Sequence, residues 1–128
     1  VGMEPVEALR NIAYLWQSSL VILNTEKVAP FTIALGESTY PRMETIIEKL
    51  SSASDRVIQL SAVQIAREAG SILSANTVML GALFGIGQLP IKIETIKEQI
   101  QSRFSARLAP VNIRAFNLGY RACQKALK

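Results

Sequence analysis

Residues 55–70 read Asp55-Arg56-Val57-Ile58-Gln59-Leu60-Ser61-Ala62-Val63-Gln64-Ile65-Ala66-Arg67-Glu68-Ala69-Gly70, and two structural periods meet inside them. Through residue 60 the β-branched pair Val57-Ile58 marks a strand. Ser61 is then a suitable N-cap, a helix follows through Ile65 to Ala69, and Gly70 can close it in a left-handed conformation. A strand passing through a one-residue cap into a helix is the unit from which α/β folds are assembled.

The same alternation extends towards the N-terminus. Val6, Leu9, Ile12 or Ala13, and Trp16 recur at helical spacing over residues 4–16, with Pro5 suited to a first turn. Residues 19–24, Ser-Leu-Val-Ile-Leu-Asn, predict a short buried strand. Phe31-Thr32-Ile33-Ala34-Leu35 alternates weakly as a second strand, and residues 36–41 form a loop. Met43, Ile46, Ile47 and Leu50 define an amphipathic helix that stops in Ser51-Ser52-Ala53-Ser54. Beyond Gly70 no further strand is predicted: residues 75–86, 93–104 and 111–127 all read as helices, the second carrying the stripe Ile93, Ile96, Ile100 and Phe104. The expected fold is α/β: a Rossmann-like three-layer fragment, with a short, mostly parallel sheet and flanking helices, followed by a helical C-terminal part. Residues 1–128 are expected to make a single domain.

Composition narrows the chemistry. With 49% apolar and 19% charged residues, 128 residues suit a folded globular domain that buries roughly two-thirds of its unfolded surface. The absence of histidine removes Ser-His and Cys-His nucleophilic sites and most zinc or iron sites. One cysteine, Cys123, precludes an internal disulfide, fits a reducing cytoplasm and falls short of the four thiolates of an iron–sulfur cluster. An enzyme built only from Asp, Glu, Lys, Tyr or a cofactor remains open on composition, but no pattern in the sequence marks one, so no catalytic, cofactor-binding or metal-ligating residue is assigned. The opening Val1-Gly2-Met3-Glu4-Pro5 has neither an initiator Met nor a signal-peptide pattern, and residues upstream of Val1 are expected.

The net charge of +4 is unevenly spread. Residues 1–91 carry six basic and eight acidic side chains, whereas residues 92–128 carry eight basic side chains against Glu94 and Glu98. In the last helix Arg114, Arg121, Lys125 and Lys128 fall at spacings of 7, 11 and 14, on one face. A solvated face is the plain reading of such a row. A dock for phosphates or an acidic protein is the functional one, and nucleic acid ranks behind both because no aromatic residues interleave with the cations.

Residues 69–91 contain no charge over 23 positions, a length that would cross a bilayer. Ser71, Ser74, Asn76, Thr77, Gln88 and Pro90 interrupt it, so a buried core or subunit-contact helix is expected rather than a membrane span. Gly81 is assigned to close helix packing, with Gly85 and Gly87 at the chain exit; their place within a helix does not suit a dinucleotide-binding turn. Asn76 and Asn112 read as helix caps, and Cys123 as a small core residue. Asn24, Tyr40 and Pro41 lie in loops after strands, where α/β proteins bind ligands, without acid/base partners nearby in sequence.

Several stretches together resemble a known family. In the second half they are Ala66 and Gly70, Asn76-Thr77-Val78-Met79-Leu80-Gly81-Ala82-Leu83, Leu89-Pro90, residues 93–104, Asn112, Ala115-Phe116 and Gly119-Tyr120. They are similar to the gamma-type domain of 2-oxoacid:ferredoxin (or flavodoxin) oxidoreductases. Glu4-Pro5-Val6-Glu7-Ala8-Leu9-Arg10, Asn24-Thr25 and the stretch from Leu35-Gly36 to Tyr40-Pro41 look like the indolepyruvate:ferredoxin beta-subunit branch. The strand, Gly-rich turn and Arg-Gly-Gly segment with which that family begins are not in this sequence. The match is to the C-terminal two-thirds of such a subunit.

The resemblance implies a non-catalytic subunit of a complex that decarboxylates a 2-oxoacid oxidatively to an acyl-CoA and passes electrons to ferredoxin. Thiamine diphosphate and iron–sulfur clusters are then expected on a large alpha subunit, with coenzyme A and ferredoxin as substrates of the complex. No nucleic acid or membrane partner is implied. The expected subunit contact comprises Asn76, Leu80, Leu83, Phe84, Asn112 and Phe116, and the expected acidic-partner face comprises Arg114, Arg121 and Lys125. Two other classes remain open from the residues alone. A free-standing small-molecule-binding module would show a ligand-specific melting shift, and a basic nucleic-acid-binding accessory protein would show salt-sensitive binding.

Overall fold

Glu4 opens the first helix by accepting a 3.0 Å hydrogen bond from the Glu7 N–H, and Pro5 supplies a preset first-turn φ. The resulting α1, Pro5–Arg10, is shorter than the expected helix over residues 4–16. Asn11 ends it. Its side-chain amide donates to the Glu7 carbonyl at 2.8 Å, offering the backbone an alternative to another α-turn, and the chain tightens into a 3₁₀ turn, Ile12–Tyr14. Trp16, expected on the buried helix face, is in consequence 67% exposed, and Tyr14 77%.

The computed structural model describes residues 1–28, 36 and 39–128. The expected strand over residues 31–35 lies outside them, as do positions 37 and 38 of the expected loop. The remaining elements follow the sequence reading closely: β1, Leu20–Asn24; α2, Met43–Ser52; β2, Arg56–Leu60; α3, Ala62–Ala69; α4, Ala75–Gly85; α5, Ile93–Arg103; and α6, Ala109–Leu127. The chain divides into two compact units, Val1–Gln59 and Leu60–Lys128. The class is α/β, with β1 and β2 forming a short parallel sheet and a helical C-terminal part following it.

In the first unit α2 lies on the connection between the parallel strands, which cannot be joined by a tight turn. Its Ile46 and Leu50 pack with Val6 of α1 and with Val21 and Leu23 of β1. Ile22, on the opposite face of β1, is also buried, so the apolar run is covered on both sides. Gly2 lies along β1: its N–H donates to the Ile22 carbonyl and its carbonyl accepts from the Asn24 N–H, both at 2.8 Å.

In the second unit α3 ends as expected, with Gly70 at φ +116° and its N–H bonded to the carbonyls of Ala66 and Arg67. A 3₁₀ turn, Ile72–Ser74, leads into α4, an 11-residue helix apolar nearly all round. No helix among the described residues is long and apolar enough to cross a membrane. The helix α4 instead packs along α6 at very close range. A Cβ at Gly81 would lie 2.0 Å from the Phe116 carbonyl oxygen, and one at Gly119 would lie 2.0 Å from the Val78 carbonyl oxygen. Gly85, expected at the chain exit, belongs to the same seam: a Cβ there would meet the Tyr120 carbonyl oxygen at 2.7 Å and Cys123 Cβ at 2.8 Å. Gly87 alone serves the exit, with φ +75°. Beside the seam Phe84 and Phe116 stack obliquely, with ring centroids 5.6 Å apart, and with Ile100 of α5 they form the unit's buried cluster.

Because two backbones meet at Gly81 with no room for a methyl group, Gly81→Ala should destabilise the second unit by about 3 kcal/mol or more, at the upper end of overpacking costs. Thermal unfolding followed by circular dichroism would read this. Ala82→Gly in the same helix, which removes a methyl group instead of adding one, should cost less and serves as the control.

Candidate partner-docking surface

The α4–α6 seam decides which side chains of these helices remain available. Thr77, Val78, Gly81, Phe84 and Gly85 are turned inward, and what α4 leaves outward is Asn76, Leu80 and Leu83, spaced four and three residues apart on one face. Asn76 is exposed, while Leu80 and Leu83 are half-buried. The other three residues of the expected contact sit inside the unit. Phe84 and Phe116 belong to its core, and Asn112 is 5% exposed.

Neither asparagine is a helix cap. Ser74 precedes α4 as its N-cap, so Asn76 lies within the first turn. Asn112 lies in the first turn of α6, where its Oδ1 accepts a 2.8 Å hydrogen bond from the Thr77 hydroxyl and its Nδ2 donates to the Leu108 carbonyl at 3.0 Å. This buried polar pair ties α4 to α6 with its groups satisfied, which is what burial of an amide requires.

On the outer side of α6, Arg114, Arg121 and Lys125 are all exposed. Arg114 and Arg121 flank a shallow groove of about 480 Å³ whose floor includes Ile113 and Leu118. The second unit carries nine Lys and Arg side chains against Glu68, Glu94 and Glu98. Among the described residues the ion pair at 2.7 Å between Arg10 and Glu7 belongs to the first unit, and Arg114, Arg121 and Lys125 meet no carboxylate at that range. Exposed and without a carboxylate at that range, they face solvent, where water and salt both weaken their field.

Among the described residues the donor set does not fit an iron–sulfur cluster or a metal ion. No group of three or more His, Cys, Asp or Glu converges among the described residues. Cys123 is fully buried against the α4–α6 seam, and burial pushes its thiol pKa up, away from a reactive or ligating thiolate.

A polar node at the C-terminal end of β1 is legible in sequence only as a location. Glu4, 8% exposed, accepts from the Glu7 N–H, from the Val28 N–H at 3.4 Å and from the Tyr40 hydroxyl. Burial, and then the adjacent Glu4 carboxylate, push the Tyr40 pKa well above the ordinary tyrosine value. Lys27 Nζ stands 5.3 Å from the Tyr40 ring centroid, and Asn24 donates to the Met3 carbonyl at 3.0 Å. Sequence reasoning finds Asn24 and Tyr40 but misses Glu4, whose partners lie 24 and 36 residues away. Its one local signal is a carboxylate immediately before Pro5.

Tyr40→Phe removes the hydroxyl from a buried charge and should cost about 1–3 kcal/mol at pH 7 by urea unfolding. Because folding raises the Tyr40 pKa, its contribution is complete below pH 10 and is lost as pH rises from there. Stability should therefore fall less steeply above pH 10 in the variant than in the parent.

Comparison with known proteins gives these features a context. The pyruvate ferredoxin/flavodoxin oxidoreductase family matches residues 1–122. Over 120 residues the chain is 38% identical to the indolepyruvate oxidoreductase subunit IorB of Archaeoglobus fulgidus, covering 94% of this chain and 60% of that protein. It is 36% identical over 130 residues to the protein of the same name from Thermococcus kodakarensis, covering 99% and 63%. It is 31% identical over 115 residues to the pyruvate/ketoisovalerate oxidoreductases common subunit gamma of Pyrococcus furiosus, covering 90% and 54%. The chain thus spans less than two-thirds of the length of these relatives. No solved structure matches it significantly. The match over nearly the whole chain makes this protein a member of the pyruvate ferredoxin/flavodoxin oxidoreductase family.

Proposed function

We propose that the chain is the main part of a non-catalytic subunit of a 2-oxoacid oxidoreductase of the indolepyruvate (arylpyruvate) type. The observation that carries this reading is the 38% identity to an indolepyruvate oxidoreductase subunit over 94% of the chain. The reaction is oxidative decarboxylation of the 2-oxoacid to an acyl-CoA, with the electrons passed to ferredoxin in the cytoplasm. On this reading thiamine diphosphate and the iron–sulfur clusters sit on a large alpha subunit; the one cysteine of this chain, Cys123, is consistent with that for the clusters, which take four thiolates. Its own residues supply a docking face, the Asn76–Leu80–Leu83 row, and a cationic face at Arg114, Arg121 and Lys125. The cationic face holds coenzyme A phosphates or guides acidic ferredoxin.

Gentle anaerobic purification of the native protein tests the core of this reading. A large partner carrying thiamine diphosphate and iron–sulfur clusters is the expected outcome, and a chain that purifies alone removes the reading. Leu83→Asp should abolish recovery of that partner while leaving the melting curve of this chain close to the parent's, since Leu83 is only half-buried. Loss of folding would instead make Leu83 a core residue. Reversing Arg114 and Arg121 to Glu should raise the KM for coenzyme A or for ferredoxin, more at low than at high ionic strength. Unchanged kinetics would remove the cationic face from substrate binding.

A further inference from the structure

Between α4 and α5 the second unit leaves an open groove of about 220 Å³. Its floor is Leu80, Ile100 and Phe104, and its rim carries Asn76, Gln99 and Arg103. The volume is below the roughly 300–1,000 Å³ of sites for small-molecule ligands but ample for one large apolar side chain. An apolar floor inside a polar rim is the anatomy of an interface anchor pocket.

The rim also carries a directed charge. Arg103, in the last turn of α5, is exposed and meets no carboxylate at ion-pair range among the described residues. The acidic residues of its own helix, Glu94 and Glu98, precede it by nine and five positions. At 100° per residue they lie about 180° and 140° round the helix from Arg103. Arg107, four residues further along the chain, is exposed as well. The groove therefore offers an apolar seat with an uncompensated cation beside it.

We infer that this groove receives a single large apolar side chain, flanked by a carboxylate that pairs with Arg103, from the large catalytic subunit. This rests on the subunit reading above and adds the site and chemistry of the contact. Free coenzyme A is poorly matched to it, because the floor is apolar and one arginine faces it.

The test is the affinity of the whole chain for the purified large subunit, measured by isothermal titration calorimetry at low and high salt. Gln99→Trp, which fills the groove from an exposed rim position, and Arg103→Glu, which reverses its charge, should each weaken binding about tenfold or more. For Arg103→Glu the loss should shrink as salt rises. Lys92→Glu, the same charge change outside the groove, should leave affinity within about threefold, a difference of roughly 0.7 kcal/mol. Circular dichroism melts matching the parent's would show that all three variants fold. A parent chain that binds the large subunit while both groove variants bind equally well overturns the groove and leaves the subunit reading standing. A parent chain that does not bind it overturns both.

Discussion

The second unit depends on the close approach of two helix backbones. Where Gly81 faces Phe116 and Gly119 faces Val78, no Cβ fits between the chains. That approach brings Thr77 within 2.8 Å of Asn112 and sets Phe84 against Phe116. Glycine weakens each helix by about 1 kcal/mol relative to alanine. The offset comes from contact: tightly packed surfaces recover dispersion attraction over many atom pairs, and Phe116 is removed from water completely. The seam also rotates each helix about its axis, and so selects the residues that face outward.

Two surfaces result from that selection, and they differ in kind. The outer row of α4 offers partly buried leucines beside an amide, which can bury apolar area against another protein. The outer side of α6 offers cations over a shallow groove, suited to long-range attraction of anions and weak in holding any one of them. The first kind sets how long a partner stays, and the second how quickly it arrives.

The first unit is organised around a charge instead. Glu4 caps α1, and its carboxylate also accepts from Val28 and Tyr40, so the segments on either side of residues 29–39 are tied to one side chain. Burying a carboxylate is costly unless its lone pairs are occupied, and three donors occupy them in this node. The result is a fixed polar cluster at the end of β1, where α/β folds commonly place ligands.

Much of the architecture is legible in the sequence. Local period and punctuation mark β1, β2, α2 and the four later helices to within a few residues, because termination at Gly70 and the isoleucine stripe of α5 are short-range effects. The charge asymmetry and the missing ligand types follow from composition alone, and the assignment of Gly81 to close packing follows from its place in an apolar helix. The length of α1 is overestimated from sequence, since Trp16 sits at helical spacing and only the Asn11 side chain, bonding back to Glu7, shows why the helix stops early. Asn112 reads as a cap because sequence shows its position near the helix start but not the threonine 35 residues away that binds it. Phe84 and Phe116 are expected on the outside because both sides of an apolar helix look alike until a second helix covers one of them. Sequence thus determined both described strands and most of the helices, through interactions spanning a few residues. Which face of each helix is core, and which polar groups meet, was decided by tertiary packing, because those contacts join residues tens of positions apart.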